Sequence, residues 1–274
     1  MSELIIFREI QPFLFFLFVA AIGLSIGSFL NVLVFRLPLI IQSECGILLS
    51  DNNKYLTLGG RSYCPSCGSQ IPWWLNIPVF SWLFIRGYSS CCNKKISMQY
   101  PVIEFICGLM AIIAFYEFDI VNALIVCFSF YVLLSLFLID YKTSLLPDVL
   151  VFLFLWSGVL FNINGHFVSL EESVYGVVIG YLSMEIIPKL HILLSGKKNV
   201  FIGGGDVKLV SAAGAWLGPF GIPYVLLGAV FISILLFLLF KTKANKEVIG
   251  NFDQNIVPFG PGLCISIFGL IVFN

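Results

Sequence analysis

Long apolar runs, broken by short polar or basic stretches, fill most of this chain from residue 12 onward. Each run reads as a helix crossing a bilayer, whose hydrocarbon core of about 30 Å needs about 20 apolar residues. The pattern predicts an all-α polytopic membrane protein of about eight spans. They fall near residues 12–35, 101–117, 121–139, 148–163, 172–188, 206–218, 222–240 and 258–273. Three regions follow: a first transmembrane helix in 1–35, a loop subdomain in 36–100, and a transmembrane core in 101–274. The 206–218 run is interrupted by Gly214, Gly218 and Pro219, as in an unwound helix, a closely packed helix or a loop.

The polar stretches between runs differ in charge. Loop 36–100 holds Arg36, Lys54, Arg61, Arg86, Lys94 and Lys95. Loop 189–205 holds Lys189, Lys197 and Lys198, and loop 241–257 holds Lys241, Lys243 and Lys246. The stretches 118–120, 164–171 and 219–221 contain no Lys or Arg. The positive-inside rule therefore puts the large loop in the cytoplasm and both chain ends outside, with Arg8 as the one contrary residue. Asp140, Asp148 and Asp206 then share the cytoplasmic membrane edge.

Composition supports the membrane reading. Of 274 residues, 59% are hydrophobic and 11% charged, with mean hydropathy +1.00, which a soluble domain of this length rarely shows. Basic and acidic residues balance at 15 each, so no nucleic-acid partner is indicated. The run from Pro12 to Leu37 reads as a retained helix rather than a cleaved leader. Trp73, Trp74 and Trp82 read as interfacial anchors, and His166 and His191 have no ligand-spaced partner.

Two features carry candidate chemistry. Asp206 follows Gly203, Gly204 and Gly205 and opens an apolar run, while Asp140 closes another. As bystanders they are a helix cap and an interfacial charge. Brought together at a poorly hydrated edge, they share a proton and supply an acid and a base at once. The glycines would let backbone approach a partner helix or a substrate. The second feature is Cys64-Pro65-Ser66-Cys67, followed by Cys91-Cys92. In a reducing loop with little apolar core, such pairs point to a structural zinc ion sooner than to disulfides. The candidate thiols are Cys64, Cys67, Cys91 and Cys92; adjacent cysteines chelate less comfortably than CxxC, so for the fourth ligand Cys91, Cys45, a three-cysteine site and a lost site stay open. Cys107, Cys127 and Cys264 lie in apolar runs and read as packing residues.

The chain also resembles the bacterial type IV prepilin peptidases, GxGD-type membrane aspartyl proteases that usually N-methylate their product. The matching stretches are GSFLNVLVFRLP (27–38), CPSCGSQIPWWLNIPVFSWLFIRG (64–87), ISMQYPVIEF (96–105), LIDYKTSLLPD (138–148), GGGDVKL (203–209) and VPFGPGL (257–263). The resemblance implies that Asp140 and Asp206 are catalytic, that Gly203 and Gly205 are the glycines of GxGD, and that Asp148 is not catalytic. It implies an aspartyl peptidase core in 101–274 in the inner membrane, among lipid. Its substrates would be type IV prepilins or the pseudopilins of type II secretion, cut after the glycine that ends a basic leader. The new amine would be methylated from S-adenosylmethionine, with Gly27, Asn31, Arg36 and Glu104 at matching positions. Gly27 also suits plain helix packing, and Arg36 a plain cytoplasmic anchor. The family's second CxxC begins where this chain has Ser89. Two other classes stand beside this one: a small ion- or proton-coupled transporter, and an inactive assembly factor for a secretion or pilus system.

Overall fold

A computed structural model describes residues 2–46, 57–195, 203–240 and 259–273. Lys54, Lys197, Lys198, Lys241, Lys243, Lys246 and Val257-Pro258 lie outside them, as does the side chain of His191. The described residues are all-α apart from two isolated β-bridges. The helices are α1 (Ser2–Ile10), α2 (Pro12–Glu44), α3 (Phe80–Phe84), α4 (Gln99–Glu117), α5 (Ile120–Thr143), α6 (Asp148–Asn162), α7 (Leu170–Ser195), α8 (Gly204–Phe240) and α9 (Gly260–Phe273). A 3-10 turn at Trp73–Asn76 precedes α3. The chain divides into two compact units, Met1–Tyr131 and Val132–Asn274.

The expectation of about eight spans is met only in part. Among the described residues four helices are both long and apolar enough to cross a membrane: α2, α4, α5 and α8. The apolar helices α6 and α9 have 15 and 14 residues. At the helical rise these reach only about 21–23 Å, short of the hydrocarbon thickness. The interruption expected at Gly218 and Pro219 is present as a kink, at which two helical segments of α8 meet.

That break in α8 follows from sequence. Pro219 has no N–H to give the carbonyl four residues back, and Gly218 takes φ 69, ψ −178, which suits a residue without Cβ. The orphaned Ala215 carbonyl instead accepts from Asn162 Nδ2 at 2.8 Å and Ser173 Oγ at 2.7 Å. Asn162 Oδ1 in turn accepts the N–H groups of Phe167 and Val168. Asn162 and Ser173 are fully buried, so this clamp satisfies polar groups that would otherwise be costly in an apolar interior.

Small residues set how closely the helices approach. A Cβ on Gly176 of α7 would strike the Gly214 carbonyl of α8, and a Cβ on Gly214 would strike the Gly176 carbonyl. One turn on, a Cβ on Gly180 would lie 2.9 Å from the Val210 carbonyl. Trp216 locks α8 to α6, stacking on Phe154 at 4.9 Å and donating its Nε1–H to the Phe154 carbonyl at 2.8 Å. In the first unit, Gly23 and Gly27 of α2 face the backbone of α4 in the same manner.

Two further expectations change. α2 does not end near residue 35 but runs through Arg36 and Pro38 to Glu44, so Arg36, Leu37 and Pro38 are buried helix residues rather than open loop. Arg8 reaches the C-terminal end of α4, donating to the carbonyls of Tyr116 (3.2 Å) and Phe118 (3.3 Å). A cation there meets unpaired carbonyls and the negative end of the helix dipole, which accounts for its place against the charge pattern.

Candidate active site

Asp140 and Asp206 come from helix ends that the second unit brings together. Asp140 lies in the last turn of α5, 6% exposed, and its carbonyl accepts the Ser144 N–H as the chain turns. Asp206 lies in the first turn of α8, with its N–H bonded to the Gly203 carbonyl at 3.0 Å. Each carboxylate stands within electrostatic reach of the other. Cys264 of α9, fully buried, lies within the same reach of both.

Glycines wall this pair. A Cβ on Gly203 would sit 3.1 Å from Asp206 Oδ2, and a Cβ on Gly205 would meet Leu146 Cβ at 2.7 Å. Gly205 thus lets the start of α8 seat against the loop before α6. Asp148 is held elsewhere: Lys208 Nζ donates to both its oxygens, at 2.7 and 2.8 Å, while lying 5.8 Å above the Phe152 ring. Sequence reasoning missed that pairing, and also a contact between Gly260 and Asp140. The only signal for the second was the pair of glycines around Pro261.

In the first unit, Gly27, Asn31 and Glu104 lie along one crossing of α2 and α4. A Cβ on Gly27 would lie 2.7 Å from Glu104 Cα, so close packing explains this glycine. Asn31 Nδ2 donates to the Tyr100 carbonyl at 3.1 Å, and its buried Oδ1 has no partner. Glu104 Oε2 accepts the Val79 N–H at 2.7 Å. Val79 has φ 62, which a β-branched residue rarely adopts, so the carboxylate holds a strained turn in place. Arg36 is buried and donates to the Thr57 carbonyl (2.8 Å) and the Arg61 carbonyl (3.1 Å). The reading of Arg36 as a plain cytoplasmic anchor is therefore replaced by one in which it ties the following segment to α2. An unpartnered acceptor on Asn31 and the carboxyl group of Glu104 suit a cationic ligand such as a methyl-bearing sulfonium compound or an amine.

The sulfurs of Cys64, Cys67, Cys91 and Cys92 all lie within 4.8 Å of one another, so this cluster could hold a metal ion. Cys64 and Cys92 are 3.8 Å apart, Cys67 and Cys91 3.2 Å. A tetrahedral tetrathiolate zinc site, with Zn–S of about 2.3 Å, places its sulfurs about 3.8 Å apart. Cys45 is not in the group.

Two matching turns build the cluster. In the first, Cys64 N–H bonds the Ser69 carbonyl and Gly68 N–H the Cys64 carbonyl, each at 2.8 Å. In the second, Ser89 N–H bonds the Lys94 carbonyl and Asn93 N–H the Ser89 carbonyl, each again at 2.8 Å. Gly68 (φ 69) and Asn93 (φ 54) hold the same left-handed position, and bridges Tyr63–Gln70 and Tyr88–Lys95 close the turns. Position 64 therefore corresponds to Ser89 and position 67 to Cys92. Cys91, one residue before Cys92, supplies the fourth sulfur instead. Ser89 Oγ lies 3.0 Å from Cys91 Sγ and 3.7 Å from Cys64 Sγ. Hydrogen bonds from Ser69, then Ser89 and Cys67, bring the Cys91 thiol down to about 6. Burial acts to raise the Cys64 thiol, but backbone hydrogen bonds at Ser66 and Cys67 outweigh it and leave it lowered.

Comparison with known proteins places these residues in a family. Residues 21–118 match the bacterial peptidase A24 N-terminal domain, and residues 127–238 match the type IV leader peptidase family. A prepilin leader peptidase/N-methyltransferase of Pectobacterium carotovorum subsp. carotovorum is 37% identical over 99% of this chain and 98% of its own length. Its namesake from Dickeya chrysanthemi is 36% identical over 98% of this chain and 97% of its own length. One from Klebsiella pneumoniae is 40% identical over 81% and 93%. No solved structure matches the chain. The chain belongs to the bacterial A24 prepilin leader peptidase family, a family of membrane enzymes.

Proposed function

We propose that this protein is an aspartyl endopeptidase of the bacterial inner membrane that removes the basic leader of type IV prepilins or pseudopilins at the cytoplasmic face. The observation that carries the reading is the convergence of Asp140 and Asp206, from helix ends 66 positions apart in sequence, within electrostatic reach of one another. At such a pair one carboxylate takes a proton from water, whose oxygen attacks the scissile carbonyl carbon. The other, carrying a proton, gives it to the carbonyl oxygen; on collapse it takes that proton back as the C=O re-forms, the C–N bond breaks, and the first acid passes the proton it took from water to the leaving amine. Gly203 leaves the Asp206 carboxylate uncovered, and Gly205 lets the start of α8 seat against Leu146.

The Met1–Tyr131 unit serves methylation of the new amine. S-adenosylmethionine, when bound, supplies an electrophilic methyl group. Asn31 Oδ1 offers the acceptor and Glu104 the negative charge that hold a cationic group, while Gly27 brings α4 close and Arg36 fastens the segment beyond α2. Cys64, Cys67, Cys91 and Cys92 hold a structural zinc ion that staples a segment with little apolar core.

Cleavage of a co-expressed prepilin, read as a gel shift and by mass spectrometry, tests the reading. Asp140→Asn and Asp206→Asn should each insert in the membrane and leave the precursor uncut. Normal cutting by either variant sinks the dyad.

A further inference from the structure

The first turn of α9 faces the two acids, and its glycine is shaped to one of them. A Cβ built on Gly260 would lie 2.5 Å from Asp140 Oδ2 and 2.9 Å from its Cγ. Gly260 and Cys264 are one turn apart on a single helix face, and Cys264 lies within reach of both Asp140 and Asp206. Both are buried, as is Asp140, so an added methyl group must displace a neighbour rather than point into solvent. Gly260 does not have a left-handed φ, which removes backbone conformation as the reason for a glycine here. Nor is it a helix-crossing glycine like Gly262, whose Cβ would meet Ser233 and, at 2.6 Å, the Ala229 carbonyl. What Gly260 spares is a carboxylate oxygen.

We infer that Gly260 is a positioning residue for the peptidase reaction: its missing side chain sets where the Asp140 carboxylate stands relative to Asp206. The inference rests on the dyad reading above. α9 is then a third wall of the site beside α5 and α8. Its contribution is steric, because the carboxylate pair shares a proton only while Asp140 keeps its place. A methyl group at 260 pushes that carboxylate aside by an ångström or so, and displacements of about 1 Å at a reacting group cost on the order of a hundredfold in rate.

The test uses the full-length protein in lipid with a prepilin substrate. Gly260→Ala should lower kcat on the order of a hundredfold with KM little changed, since substrate binding is left alone. The pH profile of its residual activity should move, because Asp140, Asp206 and Cys264 are the titratable groups facing this turn. Gly262→Ala should lower thermal stability without moving the pH profile. Gly269→Ala, on the same helix with open space around it, should change neither. A melting cycle removes dependence on activity: Gly260→Ala should lower the melting temperature in the wild-type background and not in Asp140→Ala, where the obstructed carboxylate is gone. Equal losses in both backgrounds, or a wild-type pH profile in Gly260→Ala, would overturn the inference while leaving the dyad intact. Failure of Asp140→Asn to abolish cutting would remove the dyad itself.

Discussion

Lys208 grips Asp148 with one ammonium group donating to both carboxylate oxygens, at 2.7 and 2.8 Å, two residues past Asp206. The pair joins the starts of α6 and α8, with side chains 35% and 55% exposed. Asp148 thereby helps to fasten the start of α6 to the start of α8.

Exposed ion pairs contribute about 0–1 kcal/mol and weaken with salt. Asp148→Asn and Lys208→Met should therefore keep measurable prepilin cleavage. Their deficit against wild type should shrink as ionic strength rises. Initial rates at low and high salt check this; complete loss of cutting in Asp148→Asn would return that residue to the chemistry.

Elemental analysis of the purified protein should find about one zinc per chain. Cys64→Ser, Cys67→Ser, Cys91→Ser and Cys92→Ser should each lower it. Ser89→Cys introduced into Cys91→Ser should restore it, because it rebuilds the second turn in the image of the first. Cobalt substitution gives the same answer by colour, since thiolate-to-cobalt absorption reports the number of sulfurs bound.

After chelation, the lowered Cys91 thiol sets a pH dependence. With its titration near 6 against an ordinary 9.0, Cys91 is mostly thiolate at neutral pH. Iodoacetamide should modify it ahead of Cys67 at pH 7, and more slowly once pH falls below about 6, as mass spectrometry of tryptic peptides would show. Zinc should protect it. Equal labelling of the two at pH 7 would remove the assigned role of Ser69 and Ser89.

The α7–α8 crossing should be intolerant of a single methyl group. Gly176→Ala and Gly214→Ala each drive a Cβ into backbone that cannot rotate away, so overpacking by roughly 1–3 kcal/mol is expected. Thermal unfolding in detergent measures it, with Gly269→Ala as the neutral comparison.

Glu104→Gln keeps an oxygen for the Val79 N–H but removes the charge. Cleavage should persist while the mature product lacks its methyl group, a difference that one mass spectrum reports. Full methylation by this variant would leave Glu104 as no more than the clasp on the Val79 turn.

Much of this was legible beforehand because membrane burial writes itself into composition. The apolar runs located most helices to within a few residues, and two acids flanked by helix ends and glycines marked the site. What was not legible depends on partners distant in sequence. Gly218 and Pro219 announced an interruption, but whether helix resumed depended on Asn162 and Ser173 taking over the Ala215 carbonyl. Arg36 read as a surface anchor, since nothing in its neighbourhood predicts that the Thr57 and Arg61 carbonyls return to it. The contact of Gly260 with Asp140 was likewise invisible, because a glycine carries no trace of what it makes room for.

The paired turns around the cysteines bear on how such a site can change by single substitutions. Twenty-five residues separate each position from its counterpart, yet the sulfur expected at 89 stands instead at 91. A lineage that lost the first before gaining the second would pass through a three-sulfur stage with weakened grip on its ion. The opposite order keeps at least four sulfurs throughout, with the later serine left as a hydrogen-bonding neighbour of its replacement. Substitution order is thus constrained by coordination number, and a ligand can migrate along a chain while the site in space stays where it was.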